Sequence, residues 1–260
     1  MRPAMSDATA PGIWRPNWPL PSNVKCVLTH RAGGVSKVPY DSFNLAEHVG
    51  DDPQAVAANR SRLSDYLHGR PVRWLKQVHG NDLIQTSSED DFNRVPEADA
   101  CFSQSPGVVC AVMTADCLPI LVCDEAGTTV AAIHAGWRGL ANGIIARSLQ
   151  QLPVPAESLS AFLGPAISQQ HYEVGIEVVE ALYDSTPNVA SAEAIGQALK
   201  PGHRPLHFYL DLFHIARAQL QSAGVRRLFG GDLCTYSDPR LFSHRQSNPT
   251  GRQASLIWLD

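Results

Sequence analysis

The sequence predicts a single α/β domain. Between Val72 and His134, short apolar runs rich in Val and Ile follow one another at strand length. Before and after them lie stretches with helical apolar spacing, each bounded by its own start and stop residues. No repeat, low-complexity tract or linker divides the 260 residues, and one large domain can fill that length.

Residues 1–23, with several prolines and polar side chains, read as an irregular arm ahead of a domain spanning 24–260. The arm lacks the continuous apolar core of a signal peptide. Residues 24–28 (VKCVL) form a short strand. In the loop that follows, Arg31 precedes Gly33 and Gly34, whose backbone can turn tightly and approach a ligand, although the segment alone reads as a surface turn. Asp51-Asp52-Pro53 then opens a helix with a carboxylate cap and proline in the first turn. Val56, Leu63 and Leu67 give that helix its apolar stripe, and Gly69 with Pro71 ends it.

VRWLKQVH and DLIQT are expected as two strands joined by a turn at His79-Gly80-Asn81. VVCAVMT, LPILVCD and TTVAAIHA suit strands buried on both faces, with a short buried helix left open by periodicity alone. Residues 136–149 change to helical spacing, which puts His134 at a strand-to-helix transition that favours an anion. AFLGPAI is a further strand and residues 176–183 a helix. Residues 185–205 read as a loop with at most one short helix. Asp211 caps a helix carrying Leu212, Ile215, Ala216 and Leu220 on one face, and Gly224 stops it. VRRLFG and ASLIWL close the fold as strands.

Composition narrows the function classes. With 44% hydrophobic and 18% charged residues the chain is an ordinary soluble globular protein. A net charge of −4 without any Lys/Arg run gives no support to nucleic-acid binding. No stretch has the roughly twenty apolar residues that span a bilayer. Six cysteines without CxxC spacing suit reduced thiols in the cytoplasm better than a disulfide framework. The expected partner is a small-molecule substrate, with the protein a monomer or small homo-oligomer.

His79, Cys117 and His134 carry the chemistry. Each lies at or just past the end of an apolar run. Two imidazoles and a thiolate suit a soft or borderline cation such as zinc, and three protein ligands leave one position for water or substrate. Singly, each has an ordinary reading, as a hydrogen-bonded strand-end histidine or a small buried hydrophobe. Asp116 beside the thiolate would carry a proton or orient a neighbour. Trp137 and Arg138 could stack a flat ring and hold an anion; Arg245 and Arg252 add cations near a strand end. His203 and His207 have metal-like spacing, but Pro205 between them argues against a shared helix face. No GxSxG, GxxxxGK[ST] or HExxH motif occurs.

RAGGVS, NLAEHVGDD, KQVHG, TADCLPI, HAGWRG, GPAI, YEVG and SHRQSNPTGR stand in that order along residues 24–259. In this the chain resembles the YfiH-type family, also called the multicopper polyphenol oxidase or laccase-domain family. The resemblance implies a single domain with mixed β-sheets flanked by helices, related in architecture to bacterial toxins with a Cys/His site. It implies metal ligation by His79, Cys117 and His134. It also implies purine nucleoside phosphorolysis on adenosine, inosine and methylthioadenosine, with some adenosine deamination. Copper-dependent phenol oxidation and the editing of peptidoglycan precursors are the other activities it implies. A laccase needs a trinuclear cluster fed by many histidines, commonly in His-x-His pairs; this chain has ten histidines and no such pair. One His₂Cys set would still take copper in a test tube. Zinc suits deamination, because it lowers the pKa of a water molecule. For phosphorolysis Arg31, Arg60, Arg138 and Arg245 are the candidates to hold phosphate, since a planar guanidinium pairs with its oxygens. An amide hydrolase would instead use Cys117 as nucleophile and His134 as base.

Overall fold

The computed structural model describes residues 6–186 and 188–260. In chain order its strands and helices are β1 (Ser6–Ala10), β2 (Ile13–Arg15), β3 (Val24–Thr29), α1 (Pro53–Tyr66), β4 (Val72–Arg73), β5 (Leu83–Gln85), β6 (Ala100–Ser103), β7 (Val109–Thr114), β8 (Leu118–Asp124) and β9 (Val130–Ala135). After these come α2 (Trp137–Ala141), α3 (Ile144–Gln151), β10 (Leu159–Leu163), β11 (Glu173–Gly175), α4 (Ile176–Asp184), α5 (Val189–Gln197), β12 (Leu199–Pro201), β13 (His207–Leu210), α6 (Leu212–Ser222), β14 (Arg227–Gly230) and β15 (Gln253–Leu259). Two six-stranded mixed sheets, ordered β1-β2-β3-β15-β7-β4 and β14-β10-β8-β9-β6-β5, pack face to face; a small antiparallel sheet, β11-β13-β12, stands beside them. The mixed α/β fold is the expected one.

Every residue of β7, β8, β9 and β15 is buried, because both faces of each sheet are covered. Alternation sorts the side chains. On β8, Leu121 and Cys123 face the other sheet alongside Cys26, Val112 and Ile257, while Leu118, Ile120 and Val122 face a layer built from α2 to α6. On the far side Leu63 of α1 and Leu67, which caps the end of that helix, pack with Phe43 and Leu45 over Val27, Ala111 and Leu256 of the first sheet. Asp52 caps α1 as expected, its side chain accepting from the Gln54 amide; Asp211 caps α6 by accepting from His214.

Several elements differ from expectation. Residues 6–15, within the stretch read as an irregular arm, form the hairpin β1–β2 and extend the first sheet through β3; residues 1–5 lie outside the described ones. Trp14 and Trp18 enter the inter-sheet core, with Trp18 stacked on Phe162 at 5.8 Å. The helix expected over 136–149 is broken after α2, where Gly143 adopts φ +74°. His79-Gly80-Asn81 does not join a hairpin. β4 pairs with β7 in the first sheet and β5 with β6 in the second, so this segment crosses from one sheet to the other.

Candidate metal centre

Two crossings between the sheets build the site. One runs from β4 to β5 and carries His79. The other, Ala115-Asp116-Cys117, joins β7 to β8. Both turn sharply, and His79 at φ +62° and Asp116 at φ +96° take a backbone form that is unusual for residues other than glycine. Such strain persists where the surroundings enforce it, frequently at functional sites. The third donor, His134, comes from the end of β9, whose register with β8 sets Ala135 opposite Leu118 and so Gly136 opposite Cys117. A side chain on Gly136 would meet the Cys117 sulfur at 2.9 Å and the His79 ring at 3.3 Å. The absence of one lets the donors converge.

The ligating atoms of His79, Cys117 and His134 all lie within 4.8 Å of one another, with His79 Nε2 at 3.8 Å from Cys117 Sγ. Tetrahedral zinc with bonds of about 2.3 Å to sulfur and 2.0 Å to nitrogen sets such donors about 3.6 Å apart. The residues fit a metal ion. His134 is buried, Cys117 partly exposed and His79 exposed, so the group faces solvent on the His79 side.

Asp99, fully buried, organises the group. Its carboxylate lies 2.8 Å from His134 Nδ1 and accepts from the amides of Val78, His79 and Gly80. With Nδ1–H donated to Asp99, His134 keeps the Nε2 lone pair for a ligand, the usual outer-shell arrangement. Burial would raise the Asp99 pKa, but the hydrogen bond and charge of His134 and the backbone amides hold it below the usual carboxylate range. Burial likewise opposes ionisation of Cys117, yet the charge and hydrogen bond of His134, together with His79, bring the thiol down to about 6. In return the His134 imidazolium, disfavoured by burial, is favoured by the Cys117 thiolate and Asp99 and is pushed up to about 9.

Asp116 accepts from the Thr235 hydroxyl at 2.6 Å and from the Arg245 amide at 2.6 Å. Both its oxygens are engaged, so it orients the crossing. The four candidate arginines separate into two groups. Arg31 pairs with Asp41 at 3.0 Å and Arg60 with Glu47 at 2.7 Å, Arg60 also lying over Trp74. Arg138 lies over Trp137, and Arg245 over Tyr172. Neither has a carboxylate partner among the described residues. The hydroxyl of the partly buried Tyr172 is held protonated: burial and the charges of Cys117 and Asp116 outweigh Arg245 and Arg138. His203 and His207 do not join: His207 Nδ1 meets the Pro205 carbonyl at 2.8 Å and His203 packs on Tyr209. A separate cavity of about 630 Å³ between α3, α5 and α6 holds none of these residues.

Residues 25–260 match the family model described as multi-copper polyphenol oxidoreductase laccase. The chain belongs to this family. It is 49% identical to a Pseudomonas aeruginosa protein named purine nucleoside phosphorylase, over 94% of this chain and 97% of that one. It is 44% identical to the Escherichia coli purine nucleoside phosphorylase YfiH, again over 94% and 97%. Among solved structures, Neisseria meningitidis protein NMB0706 aligns with a TM-score of 0.88 at 43% identity, covering 96% of this chain and 99% of that one. YlmD from Geobacillus stearothermophilus gives 0.88 at 30% identity, covering 98% of each.

In this member of the laccase-like family, sequence reasoning overlooked Asp99, Tyr172 and Thr235. Asp99 had a faint signal, a lone carboxylate entering an apolar strand in EADACF. Tyr172 opened the YEVG stretch without being given a role, and Thr235 had no signal, because only the fold sets them against Arg245 and Asp116.

Proposed function

We propose that the protein is a metal-dependent purine nucleoside phosphorylase. Zinc is held by His79, Cys117 and His134, and the substrates are adenosine, inosine and methylthioadenosine, with adenosine deamination as a side reaction. The observation that carries this is a three-donor centre, open toward solvent, accompanied by Arg138 and Arg245, which have no carboxylate partner among the described residues. The names of the relatives support the same reaction class.

In phosphorolysis the bond from C1′ to the purine nitrogen breaks and its electron pair leaves with the base, which takes up a proton. A phosphate oxygen bonds to C1′. Guanidinium groups hold the phosphate against that carbon, a matter of positioning and charge. Tyr172, protonated at neutral pH, offers a hydrogen-bond donor to the substrate, and Asp116 fixes the loop that presents Cys117. Bound zinc supplies a Lewis acid that stabilises charge on a ligand group. The ten histidines, with no His-x-His pair, offer a poor basis for a trinuclear copper cluster, so dye oxidation by adventitious copper is a side activity in this reading.

A second reading draws on the Cys117–His134–Asp99 series, in which a thiolate, an imidazole and an orienting carboxylate are aligned as in cysteine hydrolases. It would make the protein an amide hydrolase acting on peptidoglycan precursors. Metal-quantified protein incubated with adenosine or inosine, with and without phosphate, separates the two. Ribose 1-phosphate formed only with phosphate supports phosphorolysis. No release of base in either condition, together with cleavage of an amino-acyl muramate, would overturn it.

A further inference from the structure

Arg252 begins the chain's entry into β15, and the β15–β7 register, with Gln253 opposite Thr114, sets Arg252 opposite Ala115, the first residue of the crossing that presents Asp116 and Cys117. Its backbone is clamped on both sides: its amide donates to Asn44 Oδ1 at 2.9 Å and its carbonyl accepts from Leu45 at 3.3 Å. Its guanidinium uses Nη1 alone, toward the carbonyls of Thr250 and Gly251 at 2.9 and 3.0 Å. Among the described residues no carboxylate pairs with it. Burial lowers its pKa and the charges of Cys117 and Asp116 raise it; the register itself sets its backbone beside the crossing that presents those two residues. Both Asp116 oxygens are already engaged, and the Cys117 charge is neutralised when a metal is held. A half-buried guanidinium is then left in need of an anion. The Nε–Nη2 edge is the two-pronged face that suits a tetrahedral oxyanion.

We infer that Arg252, rather than Arg31 or Arg60, holds the phosphate beside the His79–Cys117–His134 centre, an inference that rests on the phosphorylase reading above. Arg31 and Arg60 are committed to Asp41 and Glu47. His48 lies on the same ground and is held neutral: burial first, then the charges of Arg252 and Arg60, disfavour its protonation against the opposing Glu47. The site is one for inorganic phosphate or its analogue arsenate, and Arg252 acts as a binding residue.

The test uses the metal-loaded full-length protein and inorganic phosphate as the probe. Phosphate should raise the thermal midpoint of the wild type, and that shift should vanish in Arg252→Gln. In turnover, Arg252→Gln should raise the KM for phosphate about 10–100-fold, the worth of a charge-assisted hydrogen bond, with the KM for inosine within about two-fold. Arg252→Lys should recover part of the phosphate KM, while Arg31→Gln and Arg60→Gln should leave it unchanged. The phosphate-free midpoint of each variant reports its folding. An unchanged phosphate KM and an undiminished phosphate shift in Arg252→Gln would overturn the inference. If the wild type releases no base with phosphate, the phosphorylase reading falls, and the midpoint shift alone then decides whether Arg252 binds the anion; no shift in the wild type sinks both.

Discussion

Cys117 is set apart from the other thiols by its neighbours. Burial works against its ionisation, and the His134 charge with two imidazole hydrogen bonds reverses that, to a pKa of about 6. The thiolate is therefore populated above about pH 6 and lost below it. In metal-stripped protein, alkylation of Cys117 by iodoacetamide should reach half its plateau rate near pH 6 instead of near the ~8.5 of an ordinary thiol, and added zinc should suppress it. A half-maximum near pH 8.5 would show that His134 does not stabilise the thiolate. Asp99 works one step further out, fixing the His134 tautomer and the 78–80 turn together. Asp99→Asn should weaken zinc binding about 10–100-fold in competition with a chromophoric chelator; wild-type affinity would reduce Asp99 to a packing residue. The three donors were legible in the sequence because each ends an apolar run. Asp99 was not, since its role depends on meeting a turn about twenty residues earlier in the chain through three amides, and His134 later in the chain through a fourth contact.

Legibility at the level of elements followed burial. β7, β8 and β9 announced themselves because both faces are covered and the runs are continuously apolar. Caps Asp52 and Asp211 did so because their chemistry is local. The strands of the third sheet, three or four residues long and only partly buried, gave no such signal, and the crossing at His79 depends on pairings with distant strands that no local pattern reports. The loop after β3 is another case. It reads as a surface turn, yet Asn59 of α1 ties it down: fully buried, it donates to Ser36 Oγ and the carbonyls of Ser42 and Asn44 and accepts from the Val35 amide. The Asn44 it holds is the residue that receives the Arg252 amide. Asn59→Ala strands several buried polar groups and should cost about 2–4 kcal/mol in chemical denaturation. A loss under about 1 kcal/mol would mean that water replaces these bonds and the loop is held elsewhere.

Across the whole molecule, the two sheets close over a core in which Cys26 and Cys110 of the first face Cys101 and Cys123 of the second. All four are at most 4% exposed. Burial pushes the Cys123 thiol up to about 11 and the Cys26 and Cys110 thiols well above the ordinary value, so they are withheld from reagents both sterically and by protonation. Cys117 and Cys234 are partly exposed, and hydrogen bonds from Ser168 and Ser237, set against burial, lower the Cys234 pKa. An aromatic disulfide reagent at neutral pH should therefore titrate two of the six thiols promptly in metal-stripped native protein, and all six in denaturant. The remaining four lie between sheets that must part for any of them to react. Under native conditions they should be modified together, in one slow phase whose rate matches unfolding of the whole domain. If Cys26 or Cys101 were to react ahead of the others, the sandwich would be opening sheet by sheet, and the site built on its two crossings would come apart before the core.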